Sequence, residues 1–345
     1  MPPARPSKAT KAKSTKKLTK PASENAKEET NQPTVPLGLQ QKCLDIFRDA
    51  LKPDEQDQAT VQEVKGHLYN RDFAAAFGKE EYLQVYASRW SPSRALGYLQ
   101  VFRDVQELVL QDESAKPGAF KVLCVGGGAG AEHAALAGWV HHLRESVPVF
   151  KVDARLLDIA SWDSVVTNLQ KSITSAPELS KYASAAAKEA NIALLSEDAL
   201  FVTFTKQDAL DWPPSEVVSA VQTVNLVTLM FTLNELYTMS LPKAQALLKT
   251  LSSSMQPGSF LLVVDSPGSY STVSINGAEK KYPMKWLLDL TLLGPLTGRG
   301  DEEDGQVVWK KVMEDGSRWF RLSEGLRYPI ELENMRFQIH VYKKM

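Results

Sequence analysis

Apolar positions along the chain change their spacing twice. In LGLQQKCLDIFRDAL, 37–51, Leu39, Cys43, Ile46, Phe47 and Leu51 recur at three- and four-residue intervals and fall on one stripe of an amphipathic helix. The next segment, VQEVKGHLYNRDFAAAFGKEEYLQVYASRW, continues without the alternation of a strand. SPSRALGYLQVFRDVQELV then reads as a restarted helix, with Ser91 as N-cap and Pro92 at the first position, where a missing N–H costs nothing. A helical region over 37–115 is the expectation.

After Gly118 the texture becomes strands alternating with helices. AFKVLCV, VFKVDARLL, ALFVTFTKQ, TVNLVTLMF and SFLLVVD are continuous apolar, β-branched runs separated by amphipathic stretches. Strands covered on both faces read this way, so 116–345 predicts an α/β domain, a Rossmann-like, mostly parallel sheet. SRWFRL and RFQIHVYKK follow one another without a long helix and predict a closing antiparallel pair. The expected sheet is seven-stranded, with an antiparallel last strand.

Composition narrows the classes. The chain has 345 residues, 43% of them hydrophobic, enough for a full core. No run of ~18 consecutive apolar residues occurs, so neither a membrane span nor association with a membrane is expected. Cys43 and Cys124 are the only cysteines, far apart and inside apolar patterns, which suggests neither a disulfide framework nor a metal site. The net charge of −1 hides a basic start: Arg5, Lys8, Lys11, Lys13, Lys16, Lys17 and Lys20 come with no acidic residue among the first twenty. We read 1–36 as a disordered tail, either a solubiliser or a nuclear, nucleolar address that touches nucleic-acid phosphate.

The candidate chemistry begins at KVLCVGGGAGAEHAALAG, where Gly126, Gly128 and Gly130 follow a strand and lead into a helix. A dinucleotide site prefers G-x-G-x-x-G, so that pyrophosphate rests on the helix end. Here the spacing is G-x-G-x-G and Glu132 follows, an acidic group that repels pyrophosphate but suits a sulfonium or an amino group. S-adenosylmethionine is the favoured cofactor, a nicotinamide oxidoreductase the distant alternative. Asp158, at the end of the second strand, is placed to accept from ribose hydroxyls, and Asp208, after the third, from an adenine amino group. Trp162 is a candidate to pack on adenine, although filling the helix–sheet interface is the commoner fate of such a residue. Thr232, Asn234 and Glu235 follow the fourth strand; Asp265, Ser266 and Tyr270 follow the fifth.

These stretches, VLCVGGGAGAE, LLDIASW, TLMFTLNELY, LLVVDSPGSYS and ENMRFQIHVYKK, with YASRWSPSRALGY upstream, together resemble the fungal 25S ribosomal RNA uridine-N3 methyltransferases over nearly all of 37–345. The resemblance implies a class I, S-adenosylmethionine-dependent fold and methylation of N3 of a uridine in large-subunit rRNA. Cys124 stands where class I enzymes often carry an acidic residue, two positions before the first glycine. Uridine N3 holds a proton at neutral pH, so a carboxylate must take it or donors must stabilise the anion. Glu235 is the first candidate for that base, Asn234 for a clamp on the uracil edge, and Asp265 is the second candidate base. Thr232 is assigned with the glycines, Glu132, Asp158 and Asp208 to the cofactor. Arg89, Trp90 and Arg94 are candidates for RNA, as phosphate partners and a stacking platform beside a helix N-terminus at Pro92. The alternative places Trp90 in the core and the arginines in salt bridges. The expected partner is rRNA or a pre-ribosomal particle, the expected state a monomer, and the expected place the nucleolus, with the cytoplasm as a second. A non-catalytic RNA-binding ribosome-assembly factor retaining the fold is the other open reading.

Overall fold

The computed structural model describes residues 34–54, 57–111, 118–275, 278–294 and 308–345. The tail expected to be disordered lies outside these residues except for its last positions. The apolar runs form the expected strands, almost wholly buried at Phe120–Val125, Leu226–Met230 and Phe260–Asp265 but largely exposed at Leu200–Lys206, an edge of the sheet. β1 (Phe120–Val125) is central, pairing in parallel with β2 (Val152–Asp158) on one side and β4 (Leu226–Met230) on the other. β2 pairs with β3 (Leu200–Lys206), and β4 with β5 (Phe260–Asp265), again in parallel. β9 (Met335–Lys344) runs antiparallel to β5, and β8 (Trp309–Phe320) antiparallel to β9. The seven-stranded order is β3-β2-β1-β4-β5-β9-β8.

This order decides where ligands collect. The chain leaves β1 toward β2 and β3, then returns to build β4 and β5 on the other side. Strand order therefore reverses between β1 and β4, opening a crevice at their carboxyl ends.

One face of the sheet is covered by α1 (Leu37–Leu51), α4 (Glu80–Val109), α5 (Ala131–Arg144) and α6 (Asp163–Thr174), which share a single hydrophobic core with the strands. The opposite face carries α8 (Pro214–Val221), α9 (Leu233–Ser254) and α10 (Met284–Leu293). The amino-terminal helices thus pack on the sheet rather than around a core of their own. At Gly138 of α5 an added Cβ would lie 2.8 Å from Leu99 Cδ2 and 2.9 Å from Cys43 Sγ, so three helices meet where only a hydrogen fits.

Three features differ from expectation. No helix starts at Ser91: α4 runs unbroken through Pro92. Proline removes the donor that would reach the Ser88 carbonyl, and the Tyr328 hydroxyl donates to that carbonyl instead, at 3.0 Å. The eighth strand begins at Trp309 rather than near Ser317, because a sheet-edge strand need not carry an apolar run. Tyr270 opens a separate hairpin, β6 (Tyr270–Ile275) with β7 (Ala278–Pro283). Among the described residues, no helix is long and apolar enough to cross a membrane.

Candidate active site

The turn after β1 is built by its glycines and by one carboxylate. Gly126 and Gly130 adopt φ of 83° and 87°, the left-handed region in which a side chain is strained. Gly128 needs its missing Cβ for packing, since an added one would stand 2.0 Å from Trp162 Cδ1 and 2.7 Å from Asp158 Cβ. Asp158, at the end of β2, accepts from Gly128 N at 3.1 Å and Ala160 N at 3.2 Å, tying the two strand ends together. Burial raises its pKa. Asp208, past β3, accepts from Leu210 N at 2.8 Å and caps a 3₁₀ turn over Ala209–Asp211.

The ends of β4 and β5 complete a cavity of about 540 Å³ with the glycine turn as one wall. Phe231 leaves β4 with φ of 57°, a costly conformation for an aromatic residue, and its ring stacks on Tyr98 at 6.3 Å. Thr232 is the N-cap residue of α9, its hydroxyl donating to Met230 O at 3.2 Å. Asp265 is buried and accepts from Asn234 N at 3.0 Å, Ser266 N at 2.8 Å and Ser269 Oγ at 3.4 Å. Burial pushes its pKa up to about 6. Glu235, in the first turn of α9, differs: its Oε2 is buried with no hydrogen-bond partner, as is Asn234 Oδ1. Burial raises the Glu235 pKa, against the pull of Arg71. Glu132, in the first turn of α5, is 3% exposed with Oε1 unpartnered, and burial pushes its pKa up to about 8. Cys124 is fully buried beside it, its thiol pKa raised by burial so that it carries no charge at neutral pH.

The remaining wall comes from the amino-terminal helices. Ser91, Arg94 and Tyr98 fall at i, i+3 and i+7 of α4 and share the face turned to the cavity. The Ser91 hydroxyl donates to Ala129 O at 2.7 Å and bolts α4 to the glycine turn. Arg94 donates from Nη1 to the Tyr86 hydroxyl at 2.5 Å, and its guanidinium lies 5.5 Å from the Phe231 ring centre. Arg71 and Phe77, from the segment joining α2 (Gln58–Tyr69), α3 (Phe73–Ala76) and α4, also line the cavity. Sequence reasoning missed both, along with Phe231 and Tyr98. Positive φ at Arg71 (57°) and Phe231 has no sequence signal in a non-glycine residue.

The cluster read as an RNA surface is not brought together. Arg89 is committed to Glu331 O at 2.9 Å and to the Glu333 carboxylate at 2.5 Å. Trp90 is half-buried against Tyr86, with ring centres 5.0 Å apart. Arg94 points into the cavity instead, and with Pro92 inside α4 no helix N-terminus offers an anion site there. Trp162 is buried and packs on Phe77 and Tyr86, filling the interface behind the glycine turn while also bordering the cavity. The other positions singled out for the cofactor, and Asn234, Glu235 and Asp265, line this one cavity or, like Gly128 and Gly130, belong to the turn that walls it.

Residues 45–343 match the family described as "Putative SAM-dependent methyltransferase". The chain belongs to this family. A similar protein, the 25S rRNA (uridine(2843)-N(3))-methyltransferase of Saccharomyces cerevisiae, is 34% identical, over 91% of this chain and 87% of that one. Solved structures that resemble the methyltransferase include an S-adenosylmethionine-dependent methyltransferase from Clostridium acetobutylicum ATCC 824, at 12% identity and TM-score 0.36 over 80% of this chain and 99% of that one. The N-methyltransferase NodS from Bradyrhizobium japonicum WM9, in complex with S-adenosyl-L-homocysteine, is at 9% identity and TM-score 0.33 over 71% and 87%. Sheet order and the glycine turn carry the fold assignment for this methyltransferase. Its residues fit S-adenosylmethionine, because the crevice holds the unpartnered, buried Glu132 oxygen beside the turn and acidic groups at the ends of β2 and β3.

Proposed function

We propose that this methyltransferase modifies N3 of a uridine in large-subunit (25S) ribosomal RNA. The observation that carries the reading is Glu235, whose Oε2 is buried without a partner in the wall of the cofactor cavity. The likeness to the yeast enzyme supports the choice of substrate. When bound, S-adenosylmethionine supplies a methyl group on a sulfonium sulfur. Glu235 accepts the N3 proton, and its raised pKa makes it a stronger base than an exposed glutamate. Asn234 holds the uracil edge through the side chain whose carbonyl has no partner in the protein. Arg71, which lines the same cavity, counters the negative charge that develops on the ring. Ile159 and Met239 border the cavity yet are 54% and 62% exposed, an apolar rim suited to the faces of a base taken out of its stack.

In this reading the protein acts as a monomer on rRNA or a pre-ribosomal particle in the nucleolus, and the lysines of the first twenty residues supply the address and bind phosphates. The test is incorporation of labelled methyl from S-adenosylmethionine into large-subunit rRNA, followed by nucleoside analysis. 3-Methyluridine is the expected product. Label in another base would overturn the substrate assignment, and RNA binding without transfer would identify a non-catalytic assembly factor.

A further inference from the structure

Two groups able to carry opposite charge share the cavity without meeting. Arg94, from α4, and Glu132, from α5, both line it, and among the described residues neither forms an ion pair with the other or with any third group. The hydrogen bond from Nη1 to Tyr86 is the single one the Arg94 side chain makes among the described residues. Glu132 is 3% exposed and its Oε1 has no partner. A buried carboxyl left unpaired beside a half-buried guanidinium is expensive, and rotation of two long side chains would ordinarily close the pair. What holds them apart is visible. Arg94 is laid across the Tyr86 and Phe231 rings, 5.6 Å and 5.5 Å from their centres, and the helix face that carries it is pinned to the glycine turn through Ser91.

We propose that this gap is the seat of the cofactor's amino-acid end, with the α-carboxylate on the Arg94 guanidinium and the α-ammonium on Glu132. The inference rests on the assignment of the cavity to S-adenosylmethionine. A zwitterion is the ligand chemistry that suits both groups at once, its carboxylate pairing with the guanidinium and its ammonium favouring the ionised form of Glu132, whereas a pyrophosphate would meet two acidic groups, Glu132 and Asp158. An RNA phosphate does not fit either, since Arg94 lies inside the cavity between aromatic rings and not on the rim. Arg94 therefore belongs to cofactor recognition rather than to the RNA surface.

Calorimetry on the full chain tests this with ligands that differ by one group. Decarboxylated S-adenosylhomocysteine, which lacks only the α-carboxylate, should bind the wild-type protein ~10–100-fold more weakly than S-adenosylhomocysteine, the range of a charge-assisted hydrogen bond. Arg94→Met should lose that discrimination, binding both ligands at the weaker level while leaving affinity for the decarboxylated one within about twofold. Glu132→Gln should weaken both ligands and spare 5′-methylthioadenosine, which carries neither group. Equal affinity of the wild-type protein for the two ligands would overturn the proposal without recourse to any variant. So would an Arg94→Met loss equal for both, since the residue would then only shape the cavity. Failure of the wild-type protein to bind any of the three ligands would instead remove the cofactor assignment on which the proposal stands.

Discussion

Glu235 and Asp265 are carboxyls of the same cavity, and the donors each already holds separate them. Asp265 is saturated by two backbone N–H groups and a hydroxyl, so its charge goes into fixing the start of α9 against β5. Glu235 has an oxygen without a partner. Glu235→Gln should lower kcat by ~10²–10⁴-fold with S-adenosylhomocysteine affinity near wild type, the signature of a missing base. The sign of the pH dependence follows from burial. A raised Glu235 pKa means that wild-type kcat/KM climbs with pH through that raised value, as the carboxyl ionises. The variant should lack this step and recover partly at alkaline pH, where uridine N3 ionises unaided; pH–rate profiles of both proteins check it. If Asp265→Asn instead shows the alkaline rescue and Glu235→Gln stays active, the base is at the end of β5. Both carboxyls could be picked from their place after strands, but not ranked, because the donors around each come from residues distant in the chain. Gly128 shows the converse. Its spacing marks the turn, yet a side chain there would collide first with Trp162, so a bulky substitution reports on packing before it reports on the cofactor.

Among the helical elements, α4 runs through the start signal expected at Ser91. Ser-Pro ahead of an apolar stripe marks a start in isolation, and only a residue about 240 positions away cancels it, by donating to the carbonyl that Pro92 leaves open. Tyr328→Phe should therefore cost about 1–2 kcal/mol, the penalty of a buried carbonyl without a donor, measured by denaturant unfolding. Pro92→Ala restores a local N–H for Ser88. The destabilisation from Tyr328→Phe should shrink in the Pro92→Ala background, and a double-mutant cycle with no coupling would show that the hydroxyl is not the substitute donor. The stripe of Ser91, Arg94 and Tyr98 exists because the helix continues through this point. Its role in the site was for that reason hidden, whereas the central strands, buried on both faces, announced themselves through runs of apolar residues.

In the whole molecule, the number and sense of the strands and the gathering of acidic residues at their carboxyl ends were legible, and the strand order and the arrangement of the amino-terminal helices were not. Helical period says which face of α1 or α4 is apolar, but not that the face lies on the sheet's own helices. The role proposed for the basic tail belongs to this scale too. Deleting residues 1–36 should weaken rRNA association and flatten its dependence on the logarithm of salt concentration, by roughly 0.7–0.9 for each phosphate that the tail no longer neutralises, with turnover at saturating RNA retained. Equal slopes for the full and shortened chains would leave the tail as an address only. The meeting of α1, α4 and α5 at Gly138, and the bolt from Ser91 to Ala129, have a consequence for inheritance. Residues 37–115 and the sheet cannot be exchanged between relatives as separate cassettes: a chimera cut near 116 must match Cys43 and Leu99 to the hydrogen of Gly138, and Ser91 to a turn it did not evolve beside. Recombination across that junction should be selected against, and the two stretches should descend together as one unit.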